Sequence, residues 1–168
     1  MPDQAVILLA EDREDDVILI RRAFRSAFLD NPLQIVRDGE ECIAYLAGMA
    51  KFSNRAEFPL PELLLLDLKM PRMDGFDVLL WLRQQPTLSS LRVIVITSSE
   101  ALRDVNRAYE LGASSFMVKP TDFENYIAIS KFISNFLRMV KPPEISRPSK
   151  VEEPVPSTAQ LLKLRPSS

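Results

Sequence analysis

Histidine is absent from the 168 residues, and cysteine occurs once, as Cys42. Without histidine the chain has no imidazole general base, no histidine metal ligand and no Ser-His-Asp triad. With a single cysteine it has no intrachain disulfide, no CxxC redox pair and no zinc ribbon. Cys42 lies in an apolar helical pattern, which points to a buried structural thiol. Glycine is scarce as well: Gly39, Gly48, Gly75 and Gly112 stand far apart. That leaves no glycine-rich cradle for the phosphates of a nucleotide or flavin. No apolar run is long enough to cross a bilayer, so no membrane partner is expected. The opening Met1-Pro2-Asp3-Gln4 lacks the basic residues of a secretory leader, and the expected location is cytoplasmic. A net charge of −2 offers no basic field for DNA or an acidic surface. Chemistry is left to carboxylates, hydroxyls, lysines and a hard metal ion.

What remains is ample for a core, with 46% hydrophobic residues. The continuous apolar run at 6–10 reads as a strand buried on both faces, 33–36 as a weaker strand, and 63–66, 93–96 and 116–118 as three more. The four leucines at 63–66 would also suit a helix, but their shortness and the flanking Pro59, Pro61 and Pro71 favour a strand. Helical patterns fill the gaps. Asp15 or Asp16 is the expected cap of a helix carrying Ile20, Phe24, Ala27 and Phe28. Residues 39–50 place Cys42, Ile43, Leu46 and Met49 on one side, and 74–85 carry Phe76, Leu79, Leu80 and Leu82 before Pro86. A helix over 100–111 ends at Gly112, and one over 122–140 is capped by Asp122. Residues 51–61 read as a polar surface loop. Residues 141–168 hold six of the 13 prolines and read as an extended or disordered tail beyond a domain at 1–140. Alternating strands and helices predict an α/β domain with a parallel five-stranded sheet and helices on both faces. Ligands of such sheets bind beyond the carboxyl ends of the strands.

Four of the predicted strands end in reactive side chains: Glu11-Asp12, Asp67, Thr97 and Lys119. Singly each has an ordinary reading, as a solvated loop, a helix cap or a surface turn. Together they predict one crevice. Three carboxylates brought close repel one another, and Mg²⁺ relieves this with oxygen ligands and few protein carboxylates. Asp12 and Asp67 are the expected direct ligands, with Glu11 acting through water. Asp67 is then the expected nucleophile toward a phosphoryl group, with Lys119 and Thr97 supplying charge and a hydroxyl to its oxygens.

The motifs Leu8-Leu9-Ala10-Glu11-Asp12, Leu66-Asp67-Leu68-Lys69-Met70-Pro71 with Met73-Asp74-Gly75, Val95-Ile96-Thr97-Ser98-Ser99, Glu110-Leu111-Gly112-Ala113 and Val118-Lys119-Pro120 resemble the receiver domain of two-component response regulators, over about residues 5–140. The resemblance implies a flavodoxin-like (βα)5 fold with strand order 2-1-3-4-5. It implies that Asp67 is the phosphoacceptor of a sensor histidine kinase, and that the chain is a signalling protein rather than an enzyme with a separate substrate. Glu11, Asp12, Asp67 and the backbone carbonyl of Lys69 would hold Mg²⁺. Thr97 and Phe116 would be the switch pair, Lys119 would contact the phosphoryl group, and Lys119-Pro120 would be cis. The loop at 51–61 resembles that of stand-alone regulators paired with phytochrome-type kinases.

Output by protein contact is expected, because no recognition helix for DNA is visible. The apolar residues of the last helix, including Tyr126, Ile129, Phe132, Ile133 and Phe136, exceed the ~100° stripe that packing on one sheet needs. A homodimer through the 100–111 helix, the fifth strand and the 122–140 helix is therefore expected. A haloacid-dehalogenase-type phosphatase needs a second Asp two residues after the nucleophile, where this chain has Lys69. The alternative kept open is a pseudo-receiver that binds partners without phosphorylation.

Overall fold

The apolar runs at 7–10, 63–66 and 93–96 fold as strands buried on both faces, which need no alternating polarity, while the strands at 33–36 and 115–118 are only partly buried. The computed structural model describes residues 4–139. Its strands are β1 (Ile7–Ala10), β2 (Leu33–Val36), β3 (Leu63–Leu66), β4 (Arg92–Thr97) and β5 (Ser115–Val118). They form one parallel sheet in the order β2-β1-β3-β4-β5. This is the flavodoxin-like order that the family resemblance implied. The register aligns Ala10 with Val36 and Leu66, and Thr97 with Val118, so the carboxyl ends of the strands lie side by side.

The crossovers are α1 (Glu14–Ser26), α2 (Gly39–Ala47), α3 (Gly75–Arg83), α4 (Leu102–Glu110) and α5 (Phe123–Met139). Strand periodicity divides the core in two. Leu8, Leu64, Leu66, Val93 and Val95 face α2, α3 and α4, with Cys42, Tyr45, Phe76 and Leu79 packed on them. Ile7, Leu9, Leu63, Leu65, Ile94 and Ile96 face α1 and α5, against Val17, Ile20, Phe24, Tyr126 and Ile133. Each such aliphatic side chain contributes roughly 1.5–3 kcal/mol by leaving water. Cys42 is fully buried, and burial raises its thiol pKa further from reactivity.

Helix ends depart from the expected boundaries. Arg13, not Asp15 or Asp16, stands at the start of α1 and makes no side-chain cap. Glu14, Asp15 and Asp16 occupy the first turn instead, where carboxylates oppose the positive end of the helix dipole. α1 stops at Ser26, so Phe28 falls outside its apolar stripe and is 85% exposed, with φ at 55°. α2 stops at Ala47 because Gly48 takes the left-handed φ of 68°, a conformation cheap only for glycine. Met49 is consequently exposed. Leu80 is also exposed, since it lies ~100° around the helix from buried Leu79.

The segment 51–61 is not a free polar loop. A 3₁₀ turn, Ala50–Phe52, brings the Phe52 ring within 5.1 Å of both Tyr45 and Phe58. The Arg55 guanidinium donates to the Tyr45 and Leu46 carbonyls at 2.7 and 2.9 Å, and to Phe58 O at 3.2 Å. It supplies a donor to Leu46 O at the end of α2 and a second donor to Tyr45 O, which also accepts from Gly48 N–H at 3.1 Å. The tail expected at 141–168, and Val140 at the predicted end of the last helix, lie outside the described residues.

Candidate functional site

The carboxyl ends of β1, β3 and β5 carry the site. Backbone bonds extend the ladder past the strands: Glu11 N–H donates to Val36 O, Asp67 N–H to Ala10 O, and Lys119 N–H to Thr97 O, at 3.0, 3.1 and 2.8 Å. These bonds fix the three side chains at one edge of the sheet. Glu11 and Asp67 are buried, at 1% and 4% exposure, while Asp12 is exposed. One oxygen from each of the three lies within 4.8 Å of the others.

An ammonium sits among them. Lys119 Nζ is 2.7 Å from Glu11 Oε2, 2.8 Å from Asp67 Oδ2 and 2.8 Å from Asp16 Oδ2. Burial pushes the Glu11 carboxyl up to about 7, Lys119 opposes this, and the Asp67 charge adds to it. Burial disfavours the charged Lys119, but its hydrogen bonds to Asp16, Asp67 and Glu11 outweigh that and hold its pKa above the ordinary lysine value.

The turn after β3 is shaped around Asp67. Gly75 N–H donates to Leu68 O at 3.0 Å, and a Cβ on Gly75 would overlap the Asp67 carbonyl and the Leu68 backbone. Only glycine permits that approach. Asp74 then caps α3 through a reciprocal capping box with Asp77. Lys69 follows Asp67 by two residues, and its N–H donates to Asp67 Oδ1 at 3.2 Å. Lys69 is exposed.

Thr97 ends β4, fully buried, with Ser99 N–H 3.5 Å from its Oγ1. Phe116 lies in β5, half-buried against the core formed with α2, α3 and α4, and its N–H donates to Tyr109 Oη at 3.1 Å. The expected cis bond at Lys119-Pro120 is not found: every described peptide bond is trans. For an X–Pro amide trans remains the lower-energy form by about 0.5–1 kcal/mol.

Two features escaped sequence reasoning. Asp16 joins the cluster from the first turn of α1, one helical turn beyond Asp12; that spacing was its signal. Asp38, at the N-cap of α2, accepts from Glu41 N–H at 2.8 Å. Its Oδ2 also accepts from Arg72 Nε and Nη2 at 2.8 and 2.5 Å. With Gly39 N–H donating to Met73 O at 3.0 Å, these bonds clasp the loops after β2 and β3.

The donor set suits a hard cation. Three carboxylates converge with one ammonium to balance them, and Mg²⁺ or Mn²⁺ takes such oxygens readily. No described helix is long and apolar enough to cross a membrane.

Comparison with known proteins agrees with this geometry. Response regulator Rcp1 of Synechocystis sp. is 34% identical over 131 residues, 78% of this chain and 87% of that protein. The crystal structure of its Mn²⁺-bound form superposes with a TM-score of 0.74, covering 83% of this chain and 99% of that one at 34% identity. The phosphorylated cyanobacterial phytochrome response regulator RcpA gives a TM-score of 0.76 at 31% identity, covering 83% and 99%. The model of the response regulator receiver domain matches residues 7–131. With that sheet order, that acidic edge and that match, the chain belongs to the response regulator receiver family of two-component signalling.

Proposed function

We propose that this protein is a phosphorylation switch in which Asp67 accepts a phosphoryl group from the phosphohistidine of a sensor histidine kinase. The observation that carries the reading is the buried Asp67 carboxylate, 2.8 Å from Lys119 and within 4.8 Å of Glu11 and Asp12 oxygens. An Asp67 oxygen forms the new bond to phosphorus. The phosphorus–nitrogen bond breaks, and the imidazole leaves with a proton. Glu11, Asp12, Asp67 and the Lys69 carbonyl would hold Mg²⁺, which when bound neutralises charge on the phosphoryl oxygens. Lys119 supplies a fixed positive charge to the product acyl phosphate, and Thr97 a hydroxyl. Phe116 reports the change to the surface through packing.

A phytochrome-type kinase is the proposed donor, supported by the likeness to a phytochrome response regulator. The proposed setting is the cytoplasm, where such a kinase presents its phosphohistidine. Output is by protein contact. The proposed interface is a homodimer through α4, β5 and α5, where Leu102, Val118 and Phe132 are 72%, 38% and 43% exposed.

Intact mass after incubation with Mg²⁺ and acetyl phosphate tests the reading. One added phosphoryl group is expected, absent in Asp67→Asn and absent without the metal. A well-folded protein that stays unmodified by acetyl phosphate and by candidate kinases is a pseudo-receiver, and the reading fails.

A further inference from the structure

The Lys119 ammonium has three N–H donors, and three carboxylates stand within 2.8 Å of it: Glu11, Asp67 and Asp16. Two of them belong to the acidic trio at the strand ends; Asp16 does not. It reaches Lys119 from α1, across 103 residues of sequence, and its side chain is only 15% exposed. Arg13 Nε lies 3.7 Å from the same Asp16 oxygen, but its side chain is 68% exposed and it competes weakly. The whole span of α1 that follows, through Val17, Ile20 and Phe24, is anchored in the second core, so the Asp16 backbone has a rigid base.

The geometry points to Asp16 as a positioning residue: it holds the Lys119 ammonium over the Asp67 carboxylate through a charge-assisted hydrogen bond that does not depend on the trio. The inference rests on the phosphoacceptor reading of Asp67. Its physical content is that Glu11 and Asp67 change partners whenever a cation or a phosphoryl group arrives, whereas Asp16 keeps its hold on Lys119. A long, four-carbon lysine side chain without that tether would sample several rotamers, and the phosphoryl oxygens would meet a mobile charge. Asp16 touches neither phosphorus nor the attacking oxygen; it acts through Lys119.

Two readouts on the full chain test this. The first is the rate of phosphorylation by subsaturating acetyl phosphate with Mg²⁺. The second is the NMR signal of the Lys119 ammonium in unphosphorylated protein saturated with Mg²⁺, where Glu11 and Asp67 turn to the cation and Asp16 alone keeps its hold; the signal is visible only while hydrogen bonds slow its exchange with water. Asp16→Ala is expected to lower the rate roughly tenfold, short of the ~100-fold that a 1 Å misplacement can cost. It is expected also to erase the Lys119 signal. Asp16→Asn keeps an acceptor oxygen and is expected to recover most of both. A wild-type rate in Asp16→Ala, or a Lys119 signal that persists in it, overturns the positioning role. If the wild-type chain takes no phosphoryl group, the proposed function falls, and the ammonium signal alone decides: loss in Asp16→Ala supports the tether, persistence overturns it.

Discussion

At the scale of single residues, the Asp38 carboxylate shows how a surface loop is tied to the site. It is 4% exposed; burial raises its pKa, but the Glu41 N–H and the Arg72 guanidinium more than offset this and hold the carboxyl below the ordinary aspartate range. The unfolded chain therefore binds the proton first as the medium is acidified, and folding stability contributed by Asp38 is present above about pH 4 and lost as pH falls through the folded value. In Asp38→Asn the stability curve, followed by urea unfolding, is expected to be flatter below about pH 4 than in wild type; parallel curves would show that Asp38 is not so held. Gly75 makes a second case. Any side chain there meets the Asp67 carbonyl and the Leu68 backbone, so Gly75→Ala is expected to cost about 1–3 kcal/mol in urea unfolding. An unchanged midpoint would count against the close approach. Glu11, Asp12, Asp67 and Lys119 were legible in the sequence because each follows an apolar strand, and parallel register brings strand ends together. Asp16 was not, because read as a cap its side chain would fold back on its own helix, whereas from the first turn it projects to Lys119.

At the scale of elements, strands were legible and helix ends were not. A run such as Leu63–Leu66 has few alternatives once prolines bound it, and β2 and β3 match their predicted limits. Helices end where a backbone angle turns, and that depends on tertiary partners. Gly48 could stop α2 because Arg55 waits beyond it to take the carbonyls of Tyr45 and Leu46. The polar composition of 51–61 hid this role: Arg55 looks like a solvated charge until Phe52 and Phe58 fold it onto α2. Arg55→Ala would take the side-chain donor from Leu46 O, leave Tyr45 O with Gly48 N–H alone, and loosen the aromatic trio. The expected loss is about 1–3 kcal/mol, equivalent to a fall in Tm of several degrees, read by calorimetry. A Tm within a degree of wild type would show that water replaces Arg55 without cost. The phosphorylation rate is expected to stay unchanged, since α2 contributes no side chain to the crevice.

At the scale of the whole molecule, the sheet partitions labour between its two faces. α1 and α5 seal one face, and α1 carries Asp16 to Lys119. The other face, with α2, α3 and α4, includes Phe116, whose N–H is bonded to the half-exposed Tyr109 of α4 at the sheet edge. In the proposed switch, Phe116 and Tyr109 would carry a change at Asp67 to the surface made by α4, β5 and α5. On that surface Leu102, Val118 and Phe132 are exposed, and the Phe132 and Phe136 rings stack 6.1 Å apart along α5. A stable dimer needs about 800 Å² per partner with an apolar centre. If this face supplies it, Ile129→Glu with Phe132→Glu should give a monomer in solution scattering that keeps the circular dichroism of wild type. Ile129 is half-buried against the second core, so that pair also carries a risk to folding. Leu102→Glu removes the risk: it is 72% exposed, lies on the other helix of the same face, and touches no core. A wild-type chain that scatters as a monomer at high concentration, or a Leu102→Glu variant and a folded double variant that both remain dimers, would place the interface elsewhere and leave Phe132 and Leu102 to a different partner.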